Sequence, residues 1–528
     1  MAAARNARPT LCNPCADRHD VAAVALRQAT VAGTVMHRWH AAVSCGDPQV
    51  TRHPEAQPTP PAALCLPDHR AFALALALVL CLLAAAGCAS LPQADALLAR
   101  HSAQAARFAD ASGPLSARRS AAIVAELRRK SGDLDILDKH IALEQAIVGS
   151  PLMVGNKVGL LEDGAATYAA MFSAIRAATD HINIQSYIIE DDDIGRQFAE
   201  ALLERQERGV QVNLIYDSFG SFATPRAFFD RLSAAGVAVL EFNPLSPLAS
   251  RVAWRINHRD HRKLLIVDGR SAFLGGVNIS SVYSSGSVGQ RPGKAATASG
   301  AWRDTHIRIE GPVVADLQKL FVESWRKQGG APLTARQYFP STRAIGSDIV
   351  RAIGSTPDDP YSLIYLTLLS AIGNAEKAVH LTNAYFVPDP QLLKALIDAA
   401  ARGVDVKLIL PGHSDSATVF HAGRSHYAAL LAGGVRLYER QGALLHSKTA
   451  VIDGVWSTVG STNLDWRSFL DNDEINAVIL GRDFALKMRA MFDRDLAASQ
   501  AIDAESWERR PWMLRVREWM ARLAGRLL

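Results

Sequence analysis

Two long stretches of the chain repeat the same order of hydrophobic and polar positions. In each, the tail of an amphipathic helix leads to an apolar strand, a second helix, and a second apolar strand that begins at an Arg-Gly-Val tripeptide. The strands are predicted at 182–189 and 210–216 in the first stretch and at 378–386 and 404–410 in the second, with the intervening helices at 194–207 and 390–401. Helices that alternate with short apolar strands predict an α/β protein with a largely buried sheet.

The repeat predicts two tandem α/β sandwich domains, residues 150–343 and 344–528. Each continues through another helix and a short strand to the same His-x-Lys unit. We therefore expect the two domains to pack as a pseudo-symmetric dimer with one shared active site. Residues 89–149 are rich in Ala, Arg and Leu and are predicted to form a helical spacer before the first domain.

The first 88 residues differ from the rest of the chain. Residues 1–70 lack helical or strand periodicity, so we interpret them as a disordered extension that lies upstream of the natural start. Residues 71–88 are an uncharged apolar run that ends in Ala-Ala-Gly-Cys88, the pattern of a bacterial lipoprotein signal. Cys88 is therefore the predicted lipidation site, and an uncleaved membrane anchor is the alternative.

This signal predicts a location in the bacterial cell envelope, anchored to a membrane and facing the periplasm. Ala89, where some lipoproteins have Asp, favours the outer membrane. Anchoring in the inner membrane is the alternative.

Composition and charge indicate which kinds of molecule the protein can bind. The chain is 49% hydrophobic and 21% charged, as expected for a globular protein. Its net charge of +5 suits attraction to an anionic surface such as phospholipid but is too small for a dedicated nucleic-acid binder. All six cysteines lie within the first 88 residues, which excludes a Cys nucleophile or a thiolate metal site in either predicted domain.

The strongest chemical signal is a pair of matching constellations. They are His261, Lys263, Asp268 and Asn278 in the first domain, and His446, Lys448, Asp453 and Asn463 in the second. The step from His to Asn is seventeen residues in both. Because His and Lys are two positions apart on a predicted strand, their side chains emerge on the same face. Small residues before each Asn, including Ser461, allow a close approach to a ligand.

Two such units face to face provide two imidazoles, two ammonium groups and two amides around one phosphodiester. Asn278, Asn463 and Ser461 are the predicted phosphate-binding residues, and the two lysines donate to the non-bridging oxygens. One histidine attacks phosphorus and the other protonates the leaving oxygen, which explains why two copies are needed. The lysines supply the positive charge, so we predict neither a metal nor another cofactor.

Each histidine also needs a partner for its second ring nitrogen. In the second domain the candidate is Glu474, eleven residues after Asn463. In the first domain the candidate is Asp304, which follows a Gly/Ser-rich insertion at 284–300. We therefore predict that Asp304 supports His261 and that Glu474 supports His446.

Both units resemble the H-x-K-x4-D signature of the phospholipase D superfamily. Similarity to the bacterial cardiolipin synthase branch is closer still. It rests on Gly275-Gly-Val-Asn-Ile279, Trp302-Arg-Asp-Thr-His306 and Gly460-Ser-Thr-Asn-Leu-Asp-Trp-Arg-Ser468. The resemblance covers about residues 150–528 and implies two phospholipase D-like domains and a covalent phosphohistidine intermediate.

The resemblance also implies roles and a substrate. His261 would be the nucleophile and His446 the acid, whereas Asp268 and Asp453 of the catalytic signature would mainly support the loop. The implied reaction transfers a phosphatidyl group from phosphatidylglycerol to a second phosphatidylglycerol, giving cardiolipin and glycerol. Hydrolysis of a phospholipid at the same site is the alternative, ahead of a nuclease. Many members of the branch have two N-terminal membrane spans where this chain has a lipoprotein-like leader.

Trp and Arg residues follow one another at near-helical spacing from Trp507 to Leu523. This pattern predicts a C-terminal amphipathic helix suited to a phospholipid headgroup interface. The alternative is a helix that caps the second domain. The expected partners are thus a phospholipid substrate and a membrane, without nucleic acid, and the oligomeric state is not indicated.

Overall fold

The computed structural model describes residues 91, 93–100, 105–132, 134–246, 255, 257–284 and 302–528. All of them lie in one compact unit. The predicted extension at 1–70, the predicted signal at 71–88 with Cys88, and nearly all of the insertion at 284–300 lie outside these residues. Within the described ranges, no helix combines the length and the apolar character needed to cross a membrane.

Helices and short strands alternate along the described chain. The helices are α1 (Ala94–Arg100), α2 (Ala117–Ser131), α3 (Ile141–Val148), α4 (Asp163–Ala177), α5 (Asp193–Glu207), α6 (Arg226–Ala234), α7 (Val314–Lys327), α8 (Leu363–Gly373), α9 (Pro390–Ala401), α10 (Ala417–Arg424), α11 (Tyr427–Ala432), α12 (Trp466–Leu470), α13 (Arg482–Ala497), α14 (Ala504–Glu508) and α15 (Trp512–Leu523). The strands are β1 (Phe108–Asp110), β2 (Gly113–Pro114), β3 (Leu152–Glu162), β4 (His181–Ser186), β5 (Gln211–Asp217), β6 (Ala238–Phe242), β7 (Arg259–Asp260), β8 (Lys263–Val267), β9 (Ser271–Gly275), β10 (Trp302–Arg303), β11 (Thr305–Glu310), β12 (Asp348–Ser355), β13 (Ala378–Asn383), β14 (Asp405–Pro411), β15 (Arg436–Arg440), β16 (Leu444–Leu445), β17 (Lys448–Ile452), β18 (Trp456–Gly460), β19 (Asn472–Leu480) and β20 (Ser499–Ala501).

The two halves of the chain build mixed sheets with the same strand order. The first runs β6-β5-β4-β8-β9-β11-β3, and the second runs β15-β14-β13-β17-β18-β19-β12. In both, the first three strands are parallel and each later neighbour is antiparallel. The equivalent strands β3 and β12 pair with each other, antiparallel, and join the sheets. The predicted tandem α/β architecture is confirmed, and the halves are related by a local twofold axis.

Local capping sets where the helices begin. Asp192 accepts hydrogen bonds from the Ile194 and Gly195 N–H groups at the start of α5, and Asp389 caps α9, whose first residue is Pro390. Such caps satisfy N–H groups that the first helical turn leaves unbonded. Accordingly α9 has the bounds that the sequence predicts, and α5 begins one residue before its predicted start.

The first strand of each repeat is shorter than predicted. β4 and β13 both end three residues before their predicted ends. Beyond them, Ile189 and Phe386 form single bridges to Ile279 and Leu464. In each half the chain therefore leaves the sheet just after these strands, which places the intervening residues beside the His-x-Lys units.

Two short strand pairs cross between the halves. β7 runs parallel to the start of β19 and aligns Arg259 with Asn472. β10 runs parallel to β16 and aligns Trp302 with Leu444. The two pairs are equivalent under the local twofold axis, and β7 and β16 each lie directly before a His-x-Lys unit. Each His-x-Lys unit therefore begins beside a strand of the other half.

Both halves contribute to one apolar core. It includes Ile266, Leu274 and Phe321 from the first half and Ile475 and Met488 from the second, all buried. Full burial of a side chain of this size stabilises the fold by about 1.5–3 kcal/mol. The relative position of the halves is thus set by apolar packing as well as by strand pairing.

The segment before the first domain packs differently from the predicted spacer. β1 pairs in parallel with β3 and aligns Phe108 with Leu152. Phe108, Leu127 and Ile141 belong to the apolar core of the second half. The helical character of the segment agrees with the prediction. Its integration into a core could not be foreseen, because an apolar stripe on a short helix does not identify the surface that covers it.

Candidate active site

The two His-x-Lys units lie at the starts of equivalent buried strands. Lys263 and Lys448 are the first residues of β8 and β17, in which every residue is buried. His261 and His446 precede them by two positions and are also buried. Each ammonium donates to the backbone oxygen of its own histidine, at 2.7 Å in the first unit and 2.5 Å in the second.

Each histidine is held by a carboxylate from the other half. His261 Nδ1 lies 3.0 Å from Glu474, and His446 Nδ1 lies 2.7 Å from Asp304. The predicted pairing within each half is therefore wrong. Its cause is the crossed strands: β7 leads into His261 beside β19, which contains Glu474, and β10 leads into Asp304 beside β16, which precedes His446.

The two carboxylates have different supports. Ser461 donates to Glu474 and accepts the Ile475 N–H at 3.0 Å. Its hydroxyl is thus committed to the carboxylate, and the predicted phosphate-binding role of Ser461 is wrong. Gly276 is the equivalent position in the first half, where a Cβ would overlap the Asp304 carboxylate. Glycine is therefore required there for Asp304 to reach its histidine.

The two signature asparagines also differ. Asn278 accepts the Ile188 N–H at 3.2 Å and donates to the Tyr283 hydroxyl at 2.9 Å. Tyr283 in turn lies 3.4 Å from His446 Nδ1, so Asn278 is linked to the imidazole of the other half. The Asn463 side-chain oxygen has no hydrogen-bond partner among the described residues. Of the two asparagines that are predicted to bind phosphate, Asn463 makes fewer hydrogen bonds with its side-chain amide.

The signature aspartates lie away from the histidines. Asp268 and Asp453 occupy the turns after β8 and β17 with a φ of 53° in each case. Their carboxylates accept backbone N–H groups of residues 179–181 and 376–378, respectively. From Lys263 to Asp268 the strand extends roughly 15 Å. The structure thus gives these aspartates the supporting role that the resemblance implies: they tie each hairpin turn to the start of the neighbouring strand.

Burial shifts the pKa values of the site. Desolvation lowers the pKa of His261 to about 4 despite the opposing effect of Glu474. Desolvation and then the Lys448 charge lower the pKa of His446. Burial likewise lowers the pKa of Lys263 to about 7 and that of Lys448 to about 8. A bound phosphodiester anion favours the charged form of all four groups and raises these pKa values again.

Aromatic rings lie beside both histidines, in positions that the sequence did not indicate. They are Tyr187 beside His261 at 5.0 Å between centroids, and Tyr283, Trp302 and Tyr385 beside His446 at 5.8, 5.2 and 6.3 Å. These rings displace water from the imidazoles and contribute to the desolvation that lowers their pKa values. Tyr187 and Tyr385 lie in the short segments that follow β4 and β13. An aromatic residue near the end of each of these predicted strands was therefore the sequence feature that could have indicated them.

The middle residue of each His-x-Lys unit joins the halves. Arg262 donates to the Glu474 backbone oxygen at 3.1 Å and to the Ser324 hydroxyl at 2.7 Å. In the second unit, the hydroxyls of Ser447 and Thr305 share a hydrogen bond of 3.1 Å. Alternation along a strand places the middle residue opposite the His and Lys. Each His-x-Lys tripeptide thus has its His and Lys in the active site and its middle residue in the contact between the two halves.

The arrangement suits displacement at a phosphodiester. A carboxylate at Nδ1 accepts its hydrogen bond, so a neutral imidazole keeps its lone pair on Nε2, free to attack or to accept a proton. The lysines can neutralise the non-bridging oxygens. Within the part of the chain that the structure describes, no group of three or more His, Cys, Asp and Glu side chains is arranged to hold a metal ion.

Comparison with known proteins identifies the family. The family described as cardiolipin synthase, PLD-like domain, matches residues 171–285 and 368–496, one segment in each half. The chain is 34% identical over 381 residues to a cardiolipin synthase of Geobacillus kaustophilus, covering 72% of this chain and 74% of that protein. It is 36% identical over 357 residues to cardiolipin synthase A of Pseudomonas fluorescens, covering 67% and 71%. The chain belongs to the phospholipase D-like cardiolipin synthase family.

Membership in the cardiolipin synthase family makes this protein a phospholipase D-superfamily phosphatidyltransferase. The matched segments contain both His-x-Lys units and Glu474, whereas Asp304 lies between them. A solved phosphatidylserine synthase from Haemophilus influenzae Rd KW20 has the same fold, with a TM-score of 0.55 and 11% identity. The structural match covers 74% of this chain and 100% of the phosphatidylserine synthase chain.

Proposed function

We propose that this phosphatidyltransferase makes cardiolipin by transferring the phosphatidyl group of one phosphatidylglycerol to the free glycerol hydroxyl of another, with release of glycerol. The supporting observation is the pair of buried histidines, each bonded at Nδ1 to its own carboxylate, which leaves both Nε2 atoms for the reaction. The names of the relatives described above support cardiolipin as the product.

In the first step His261 acts as the nucleophile. Its Nε2 lone pair attacks phosphorus while the bond from phosphorus to the headgroup glycerol oxygen breaks, and His446 gives its proton to that oxygen. Lys263 and Lys448 stabilise the charge on the non-bridging oxygens. The products are free glycerol and a phosphatidyl group bound covalently to His261.

In the second step His446, now neutral, accepts the proton of the hydroxyl group of a second phosphatidylglycerol. That oxygen attacks phosphorus, the phosphorus–nitrogen bond breaks, and its electron pair returns to His261. Asp304 assists because a carboxylate at Nδ1 stabilises the imidazolium that His446 becomes. The site returns to its starting protonation state with one cardiolipin formed.

The test uses the purified full-length protein and phosphatidylglycerol labelled in its headgroup and in its acyl chains. We expect cardiolipin and free glycerol in equal amounts. Phosphatidic acid alone would identify a hydrolase, and no turnover would identify an inactive site. His261→Ala and His446→Ala should each abolish turnover. His258→Ala is the control, because His258 also pairs with a carboxylate, Asp473 at 2.9 Å, but lies outside both units.

We also propose that the protein is a lipoprotein of the cell envelope, modified at Cys88 and facing the periplasm. The apolar run at 71–88 and its small residues before the cysteine support this location. Mass spectrometry of the mature N-terminus should find an acylated Cys88. A mature peptide that retains residues upstream of Cys88 would contradict the proposal.

A further inference from the structure

The last helix, α15, presents an apolar face to solvent. The residues of this face are Trp512, Met513, Val516, Trp519, Met520 and Leu523, which are between 43% and 71% exposed. At 3.6 residues per turn they form one continuous stripe about 120° wide. An ordinary surface helix turns such a stripe toward the core, so the orientation of α15 is the reverse of the usual one.

Polar and aromatic contacts hold α15 in this orientation. Its inward face contains Glu518, which is 2% exposed and lies 2.8 Å from the guanidinium of Arg510. Arg510 stacks at 4.3 Å over Trp507, whose ring lies 4.9 Å from that of the buried Tyr427. The helix also packs along α10. It therefore caps the second domain, as one predicted alternative has it, while its apolar stripe stays outside.

Basic side chains border the stripe. Arg515 and Arg522 lie along one edge and Arg517 along the other, and all three are exposed. A helix with an aromatic apolar face between rows of arginine has the composition of an interfacial helix. Arginine side chains near an anionic lipid surface are attracted to it. The charge of α15 thus complements anionic headgroups.

Helix α15 is connected to one half of the active site through α10. Gly423 of α10 packs against the backbone of Phe386, where any Cβ would overlap the carbonyl oxygen. Phe386 follows Tyr385, whose ring lies 6.3 Å from that of His446. Hence α15 rests, through α10, on the segment that frames this histidine.

The first half has its own exposed apolar group beside its histidine. Phe219 and Phe222 are 54% and 70% exposed in the turn after β5. Between them, Gly220 packs against the backbone of Tyr187, whose ring lies 5.0 Å from that of His261. Each histidine is therefore connected to an exposed apolar patch, His261 through Tyr187 alone and His446 through the Tyr385–Phe386 segment and α10.

We propose that the α15 stripe, together with Phe219 and Phe222, is a docking surface that inserts into an anionic phospholipid bilayer. The two patches would straddle the site and place both histidines at the level of the headgroups. The docking rests on exposure and charge, and only the orientation of the site toward the bilayer rests on the proposed lipid substrate.

The first test measures tryptophan fluorescence of the full-length protein on vesicles of phosphatidylcholine and phosphatidylglycerol, with and without bromine on the acyl chains. Bromine quenches tryptophan only where the indole enters the bilayer. We expect strong quenching in the unmodified protein and loss of most of it in Trp512→Phe/Trp519→Phe, a change that keeps the apolar face. Equal quenching in both proteins would overturn the proposal.

The second test measures insertion pressure into a phosphatidylglycerol monolayer. Trp519→Glu/Met520→Glu and Phe222→Glu should each lower it. The control is Phe339→Glu, since Phe339 is 51% exposed and follows Tyr338, which packs on His181 at the far end of β4. Equal insertion by the stripe variant and the control would overturn the proposal. So would a dimer in sedimentation that Trp519→Glu/Met520→Glu converts to monomer, because a second copy would then cover the stripe.

His261→Ala separates this proposal from the proposed function. That variant should lose turnover but insert as the unmodified protein does. A protein that inserts normally without making cardiolipin would contradict the proposed function alone, and one that makes cardiolipin without inserting would contradict the docking surface alone.

Discussion

His446 Nδ1 and the Asp304 carboxylate lie 2.7 Å apart although 142 residues separate them along the chain. The equivalent pair, His261 and Glu474, is separated by 213 residues. Neither repeat contains both a signature histidine and the carboxylate that holds it, so each half needs the other to hold this imidazole in the reactive tautomer. The active site is one unit assembled from both repeats.

Exchanging the two carboxylates for amides should separate the acid from the nucleophile. In Asp304→Asn the protonated form of His446 loses its counter-charge, so kcat with phosphatidylglycerol should fall by about 10²–10⁴-fold. A phosphatidyl ester of p-nitrophenol needs no acid for its first step. Asp304→Asn should therefore keep the burst of p-nitrophenol in rapid-mixing absorbance, whereas Glu474→Gln should lose it. The opposite pattern would make His446 the nucleophile, and identical bursts would contradict the division of roles.

Anion binding should weaken as the pH rises through neutrality. The pKa is about 7 for Lys263 and about 8 for Lys448 in the free site. A lysine is mostly positive only well below its pKa, so affinity should be greatest well below pH 7 and should decline as the pH rises through about 7 and 8. His261, with a pKa of about 4, stays neutral across this range and adds no alkaline limb. Calorimetric titration with inorganic phosphate measures the trend, and a constant dissociation constant would contradict it.

Removal of Arg303 should destabilise the protein because this residue joins two buried ion pairs. It lies 2.8 Å from Asp495 of the second half and 3.2 Å from Asp163 of the first, and all three side chains are buried. Arg303→Met leaves buried carboxylates beside an apolar side chain, so the free energy of unfolding should fall by about 3–5 kcal/mol. Arg494→Met is the matched control, because its pair with Glu162 also joins the halves but is half exposed, which predicts about 0–1 kcal/mol. Urea unfolding compares them, and equal losses would refute the role of burial.

Asp453→Asn should affect stability more than chemistry. Its carboxylate accepts three backbone N–H groups far from the histidines, so loss of its charge should lower the free energy of unfolding by about 1–3 kcal/mol. Asn tolerates the positive φ of this turn, so the backbone can remain in place. The kcat should fall less than about tenfold, in contrast to Asp304→Asn. A larger loss in protein shown to be folded by circular dichroism would instead give Asp453 a direct role in catalysis.

Ser461→Ala distinguishes support of Glu474 from phosphate binding. Because Ser461 donates to that carboxylate, its loss should lower kcat by about tenfold and leave KM unchanged. A phosphate ligand would instead raise KM. Steady-state kinetics with phosphatidylglycerol measure the two constants, and a rise in KM alone would restore the original prediction.

Much of this protein follows from local sequence. Helix α9 has its predicted bounds because an Asp cap, a following Pro and an apolar period are all local signals. His261 and Lys263 share a face because side chains two apart on a strand must do so. The Asp-Gly turns after β8 and β17 follow from residues that tolerate a positive φ. The chemistry of the site was therefore predictable from the repeated His-x-Lys unit.

Only the tertiary structure decided how those units are combined. The pairing of Asp304 with His446 depends on β10 lying beside β16, and no pattern within either segment identifies its partner in the other half. The exposed stripe of α15 shows the same limit, because its sequence is amphipathic whichever face turns outward. The contact between Glu518 and Arg510 holds the polar face of α15 against the protein and leaves the apolar face outside. The sequence by itself determines which groups share a local face, and long-range packing determines what each face meets.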